Sequence, residues 1–398
     1  MLLENYPYPQ DGRVRREAVA LTAAGYHVTV IAPVDKGQLR RETINGVDVY
    51  RYAAPPAGTG LWGYLIEYGW SLLAAFALSL VVLVRGGFDV IHAHNPPDLF
   101  VLIALLYKVL GKRFVFDHHD LSPEMYDARF RGKGNQMVKR ALIAFERLSC
   151  RAANHVIATN QSYRALEIKR DGVSPDRVTI VRNGPELNSL RDADADPQLA
   201  ALNKVIIGYV GVMGVQDGAD YLIRALGHLR NDAQRADFHC VLVGDGEALP
   251  DLKTLVQQLH LSDQVTFTGW VDSQAVARYL ATMDICAAPE PSNPYNDWST
   301  VIKITEYMTV GKPTVAFDLP EHRFTAQRAA LYVTPNDERA FAEAFARLMD
   351  DAALRQTLGA AGRQRIETEL AWQYCAPNLL AAYQQLWPTS GKQLSAQE

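Results

Sequence analysis

The stretch PEPSNPYNDWSTVIKITEYMTVGKPTVAFD (289–318) places Ser299, Lys303 and Glu306 four and three residues apart. On a helix that spacing puts all three on one face. A carboxylate there can accept hydrogen bonds from a ribose diol, and an ammonium can balance a diphosphate. The same residues are also explained by a surface ion pair between Lys303 and Glu306, worth about 0.3–0.5 kcal/mol. Two glycine turns precede this stretch. In IIGYVGVMGVQDGADYLIRAL (206–226), Gly211, Gly214 and Gly218 lie between an apolar strand and a helix. In VLVGDGEALP (241–250), Gly244 and Gly246 flank Asp245 ahead of a helix near Glu247. Glycines let backbone N–H groups approach phosphate oxygens, and a helix N-terminus adds about half a positive charge. Neither spacing matches the dinucleotide fingerprint or the P-loop, and a tight strand–helix turn accounts for both equally well.

Other reactive types are placed less tellingly. His92-x-His94 and His118-His119-Asp120 sit at strand ends without an obvious fourth zinc ligand. They read as strand-end polar residues, or for His119 as a substrate contact. Cys150, Cys240, Cys286 and Cys375 are widely separated, with no C-x-x-C. A disulfide framework is not indicated, and a reducing compartment fits better. The start, MLLENYPYPQDGRVRRE, has no apolar core of the kind a signal peptide needs. No Ser/His/Asp or Cys/His set has recognisable spacing.

Short apolar runs set the frame that must hold these residues. Strands are expected at 27–33, 47–52, 88–93, 113–117, 154–159 and 177–182, then at 205–211, 238–243, 264–268, 283–288 and 312–317. Helices alternate with them, at 12–25 and 61–84 and then near 218–230, 247–259, 272–282, 299–309 and 337–349. In the first helix Val14, Ala18, Leu21 and Ala24 form an inward stripe. Such alternation gives α/β domains with parallel sheets covered on both faces. The polar, acidic stretch 183–204 reads as a linker. The expected organisation is an N-terminal domain over 1–184, a linker over 185–204, a C-terminal domain over 205–371, a helix at 372–387 returning to the first domain, and a disordered tail at 388–398. Only Leu2–Asn5 stand where the first domain's opening strand should be, so that strand looks truncated. The length of 398 residues, 48% hydrophobic content and net charge of −4 suit a two-domain globular protein and argue against a general nucleic-acid binder.

N-D-x-S-T, K-x-x-E-Y-M and G-K-P with a following strand resemble glycosyltransferase family 4. The resemblance extends in order through DGRVRREAVALTAAGYHVTVIAP (11–33), FDVIHAHNPPD (88–98), FDHHDLSPE (116–124), VRNGPE (181–186), GVMGVQDGADYL (211–222), GDGE (244–247) and FTGWV (267–271). It is closest to the branch found in bacterial surface-polysaccharide assembly. It implies a GT-B fold, two doubly wound Rossmann-like domains facing across a cleft, and a retaining, metal-independent hexosyl transfer from a nucleotide sugar, UDP- or GDP-linked, with no separate cofactor. The acceptor would be a saccharide or lipid-linked saccharide, bound by the N-terminal domain. By the same resemblance His119, Asp297 and Lys303 take catalytic roles, and Gly211, Gly214, Gly218, Gly244, Ser299, Thr300 and Glu306 bind the donor. Glu306 matches the second glutamate of the family's E-x7-E motif; the first would fall on Trp298, with Asp297 beside it. The loop at 211–218 lacks the Arg and Lys that many members use on the diphosphate, leaving Lys303 and the N–H groups of 213–218 as candidates. Asp192-Ala-Asp194-Ala-Asp196 imitates a metal-binding D-x-D but lies in the linker, so no metal is expected.

Two segments bear on the membrane. Tyr68–Val84 is an uncharged run at the short limit for a span. Because flanking strands belong to one sheet, it reads as a helix packed on the domain, touching membrane, or both. Residues 129–151 are basic and amphipathic, as a surface for anionic lipid heads would be. A cytoplasmic protein with peripheral contact on the inner face of the membrane is expected. A GT-B epimerase and a non-catalytic partner in an assembly complex are the alternatives.

Overall fold

The computed structural model describes residues 1–54, 60–187, 190 and 193–387, without the side chains of 60–62, 64 and 65. The expected tail at 388–398 and Asp192 lie outside the described residues. Two compact units emerge: Met1–Pro123 with Gln136–Arg182 and the chain from Cys375, and Glu124–Asn135 with Asn183–Tyr374.

The first unit holds β1 (Thr29–Pro33), β2 (Arg41–Ile44), β3 (Val47–Tyr52), β4 (Val90–His94), β5 (Arg113–His118), β6 (His155–Ala158) and β7 (Val178–Ile180). Along the chain lie α1 (Gly12–Ala23), α2 (Gly60–Arg85), α3 (Val101–Val109), α4 (Ser122–Arg129), α5 (Gln136–Ala152) and α6 (Gln161–Lys169), with most of α4 in the second unit. The strands run β1-β3-β2 and β4-β5-β6-β7, parallel except for β2. Leu2 joins the two sets, bridging Ile31 on one side and Ala93 on the other in parallel sense. Its N–H donates to His92 O at 2.9 Å, and the Leu3 N–H donates to Ile31 O at 3.0 Å. The short N-terminal segment thus occupies the central position where an opening strand is expected. β2 is absent from the expected strands because RETI alternates at an exposed edge and lacks an apolar run. What fixes it is the Asn45-Gly46 turn, with φ of 50° and 78°, the pair of left-handed residues a tight hairpin requires.

The second unit holds α7 (Pro197–Ala200), β8 (Val205–Val210), α8 (Ala219–Asn231), β9 (Phe238–Val243), α9 (Leu249–Gln258), β10 (Val265–Phe267), α10 (Ser273–Thr282) and β11 (Ile285–Ala288). It continues through α11 (Ile302–Thr309), β12 (Thr314–Phe317), α12 (Pro320–Ala326), β13 (Ala330–Val333), α13 (Glu338–Asp350) and α14 (Ala352–Arg365). Its six strands are all parallel, in the order β10-β9-β8-β11-β12-β13. Counted from β8, that is the 3-2-1-4-5-6 order of a doubly wound sheet, whose ligand crevice lies outside the carboxyl ends where the order reverses. The reversal falls between β8 and β11. Every residue of β9, FHCVLV, is buried, which is why this strand reads as a continuous apolar run. The last helix, α15 (Trp372–Gln384), runs from the second unit into the first, where Tyr383 donates to or accepts from His92 Nδ1 at 2.9 Å.

Candidate active site

Loops leaving β8, β9 and β11 interlock at the switch point. A Cβ on Gly218 would stand 2.1 Å from the Pro289 carbonyl oxygen, and one on Gly244 would stand 2.0 Å from that of Gly211. Only hydrogen fits at these two positions. The Met213 N–H donates to Asp245 O, and the Ala248 N–H donates to Met213 O, tying the first two loops together. Beneath them lies Lys303, on the first turn of α11. Its buried ammonium donates to Glu290 Oε1 and, at 3.3 Å, to the Tyr209 hydroxyl, and stands 4.5 Å from the Tyr209 ring centroid. A Cβ built on Gly211 would lie 3.6 Å from Lys303 Nζ, so the charge sits directly under the glycine loop. Burial works against that charge, but the neighbouring Glu290 carboxylate outweighs it and raises the lysine's pKa. The Asp217 carboxyl is pushed up to about 6 by burial, with Lys303 pulling the other way.

This geometry corrects one expectation and narrows another. Ser299 is not on the helical face of Lys303 and Glu306, because α11 begins only at Ile302. Residues before it are held in turns by Asn293, whose Oδ1 accepts from the Tyr295 and Asn296 N–H groups at 3.0 Å. Ser299 Oγ donates to Tyr295 O at 2.7 Å, while Thr300 Oγ1 donates to Glu321 Oε2 at 3.1 Å. Three of the six N–H groups of 213–218 are already engaged. Met213 is bonded as above, Gly214 donates to Asp217 Oδ2 at 3.0 Å, and Asp217 donates to Gly214 O at 3.2 Å. Lys303 pairs with Glu290, a residue the sequence reading passed over. Asp297 accepts from Ser292 Oγ at 3.2 Å, and Glu306 is half-buried on α11, one turn beyond Lys303.

In the first unit, polar residues gather at the carboxyl ends of β4 and β5. Asp117 accepts from Arg13 through both oxygens, each at 2.7 Å, and its Oδ2 is 2.8 Å from His94 Nδ1 and 3.6 Å from His119 Nδ1. Arg13 Nη2 also stands 3.2 Å from Glu17. Burial works to lower the pKa of His119, but the Asp117 carboxylate outweighs it and the net shift is upward. Its backbone is fixed by Asn95, whose Oδ1 accepts from the His119 N–H at 2.8 Å and the Asp120 N–H at 3.2 Å. Glu17, His92, His94 and Asp117 bring donor atoms within 4.8 Å of one another, close enough for a metal ion. That supplies the partners His92 and His94 lack in sequence. Arg13 already holds both carboxylates of this set, so a cation would have to displace it. The signal available beforehand was Arg13-x-x-x-Glu17, an i, i+4 charge pair beside the apolar stripe of α1.

Asn95 also donates to Asp98 Oδ1 at 3.1 Å, and burial pushes the Asp98 carboxyl up to about 7. The folded chain therefore keeps a proton that the unfolded chain releases near pH 4. The stability from this group is full below about pH 4 and is lost as pH rises through about 7. Asp98→Asn should abolish that loss. The stability of the native protein relative to the variant should fall by about 2 kcal/mol between pH 5 and pH 7 in urea titrations. A gap that does not change with pH would mean Asp98 ionises normally.

Residues 12–184 match the family model of the glycosyl transferase 4-like domain, and residues 204–351 match glycosyl transferases group 1. A lipopolysaccharide core biosynthesis glycosyltransferase of Rhizobium meliloti is 31% identical over 210 residues, covering 52% of this chain and 56% of that enzyme. Sucrose-phosphate synthase from Thermosynechococcus elongatus superposes with a TM-score of 0.77 at 22% identity, covering 95% of this chain and 93% of that one. Anabaena HepE, solved in complex with UDP-glucose, gives a TM-score of 0.72 at 18% identity, with 96% and 98% covered. With two consecutive models spanning both sheets and whole-chain likeness to these folds, the chain belongs to the family 4 glycosyltransferases of GT-B fold.

Proposed function

We propose that the protein is a retaining, metal-independent hexosyltransferase that moves a sugar from a UDP- or GDP-sugar to a saccharide or lipid-linked saccharide during cell-surface polysaccharide assembly. The observation that carries this is the switch point of the second sheet, where a glycine loop closes over the buried Lys303 ammonium and Glu306 follows one turn on. The UDP-glucose complex of a similarly folded protein and the lipopolysaccharide relative support the donor class and the pathway. On this reading residues 205–371 hold the donor and 1–184 the acceptor, on the cytoplasmic side of the membrane. The acceptor hydroxyl attacks the face from which the diphosphate departs, and the leaving phosphate takes its proton. The protein's work is orientation and charge stabilisation. Lys303 supplies fixed positive charge under the diphosphate, Glu306 accepts from the ribose diol, and His119 and Asp297 contact the reacting sugars. No separate cofactor takes part, since the nucleotide sugar is a substrate.

Thermal unfolding with UDP, GDP, dTDP, CMP and ADP, without and with magnesium, tests the donor half. One nucleotide should raise the melting temperature equally with and without metal. A ligand at 100 times its Kd adds about 2.7 kcal/mol. Glu306→Ala should abolish most of that shift. A variant that keeps the full shift refutes the ribose role, and a cooperatively melting protein that no nucleotide stabilises refutes the donor site.

A further inference from the structure

Helix α2 leaves a stripe of large apolar residues uncovered. Its buried residues are Gly63, Ser71, Ala75, Ser79 and Val82, the last four at 0–8% exposure. Its exposed stripe is Ile66, Trp70, Leu73, Ala77, Leu80 with Val81, and Val84, recurring every three to four residues. A helix of a water-soluble domain turns its large apolar residues toward the core. Here Ser71, Ala75 and Ser79 are among the most deeply buried residues while several large apolar ones are left uncovered, with Leu73 at 68% and Val84 at 86% exposure. The neighbouring helix is apolar on both faces, burying Val101, Ile103 and Tyr107. α3 touches α2 through Tyr107, whose hydroxyl is 2.8 Å from Ser79 Oγ, and exposes Leu102, Leu106 and Val109.

Exposed apolar helix faces bind many things, and charge narrows the choice. α5 packs beside α3 and exposes Arg140, Arg147 and Arg151 along one stripe with Met137 and Leu148. The one acidic residue of α5, Glu146, is buried. Apolar stripes next to arginines are the composition of a helix lying in the headgroup–acyl boundary of an anionic bilayer. Trp70, 45% exposed, adds an aromatic residue of the kind enriched at that depth. The 20-residue window Ile66–Arg85, mean hydropathy 1.8, is long enough to cross a membrane, but its inner face is fixed to the domain through Ser79 and Ala75. A helix held that way lies along the surface.

We infer that the α2–α3–α5 face seats the protein on an anionic lipid bilayer, with the apolar stripes of α2 and α3 inserted and the α5 arginines on the headgroups. This deepens the acceptor side of the reading above, because a lipid-linked saccharide is presented at that boundary. It rests on helix faces that are independent of the donor site.

The test is co-sedimentation of the full chain with vesicles of phosphatidylcholine containing 30% phosphatidylglycerol, and of phosphatidylcholine alone. The native protein should bind the anionic vesicles, and high salt should weaken the binding without abolishing it, because the apolar stripes persist. Leu73→Glu with Val84→Glu should lower the bound fraction at least tenfold, as should Leu106→Glu with Val109→Glu on the other helix. Arg140→Glu with Arg147→Glu should remove only the anionic preference. Nucleotide-dependent melting shifts, measured on each variant, should stay unchanged, which separates failure of the membrane surface from failure of the donor site. Native protein that remains in the supernatant with both vesicle types overturns the inference. So does a native dimer that the glutamate variants dissociate, since a second copy would then be what covers the face.

Discussion

Arg13→Met is expected to destabilise the protein by about 3–5 kcal/mol at pH 7.5, the usual consequence of leaving a buried carboxylate without its cation. The Arg13 side chain is 5% exposed, Asp117 is fully buried, and the guanidinium fills both carboxylate oxygens while Nη1 donates to Val181 O at 3.0 Å. No rotamer of methionine replaces any of these bonds. The pH dependence has a definite sign. Burial alone would raise the Asp117 pKa, but Arg13, joined by His119 and His94, overrides it and holds the carboxyl well below the usual range. A depressed carboxyl contributes stability above its unfolded pKa near 4, and that stability is lost as pH falls through the folded value. The deficit of Arg13→Met should therefore be full at pH 7.5 and narrow below about pH 4. Adding Asp117→Asn should recover a large part of it, because the stranded charge is then gone. Urea titrations of the two single variants and the double variant give all three quantities. A cost under about 1 kcal/mol for the first would mean that something other than Arg13 neutralises Asp117.

How much of this was visible in the chain depended on whether the cause was local. Buried parallel strands have apolar residues on both faces, so FHCVLV and VIIGYV announced themselves as β9 and β8. The edge strands β2 and β13 did not, since RETI is half solvated and ALYV is largely half-buried. Ser299 shows the limit of spacing arguments. Its distance from Lys303 suits a helix, yet Asn293 offers the intervening backbone a competing set of hydrogen bonds, and the helix starts later. Arg13 and Glu17 would count as solvent-facing on any amphipathic reading of α1. What draws Arg13 inward is Asp117, more than a hundred residues away in sequence, at the end of another strand, and Glu17 is held there by Arg13. Gly211 is the same case: it reaches Lys303 only because β8 and β11 are neighbours in the sheet, while Glu290 lies on the segment between β11 and α11. The resemblance to family 4 pointed to the glycine loop and to Lys303, but it could not say which charge answers Lys303.

That answer leads to the largest expected change in activity. At neutral pH the switch point holds one ammonium, Lys303, against the carboxylates of Glu290 and Asp217. A departing nucleoside diphosphate brings about two to three more negative charges, and among the described residues of this cluster the lysine is the cation set against them. Lys303→Met should lower sugar transfer by about 10²–10³-fold, the range seen when one preorganised charge-stabilising group is removed from a transition state. It should also destabilise the fold, because Glu290 would remain buried with only His322 nearby, at 3.6 Å. The two effects are separable. In Lys303→Met with Glu290→Gln the stranded carboxylate is neutralised, so the melting temperature should return toward the native value while transfer stays low. Initial rates of sugar transfer and melting curves on both variants decide the matter. If the double variant regained transfer along with stability, the pair would be a structural bridge under the glycine loop, and the charge that meets the diphosphate would have to come from elsewhere in the chain.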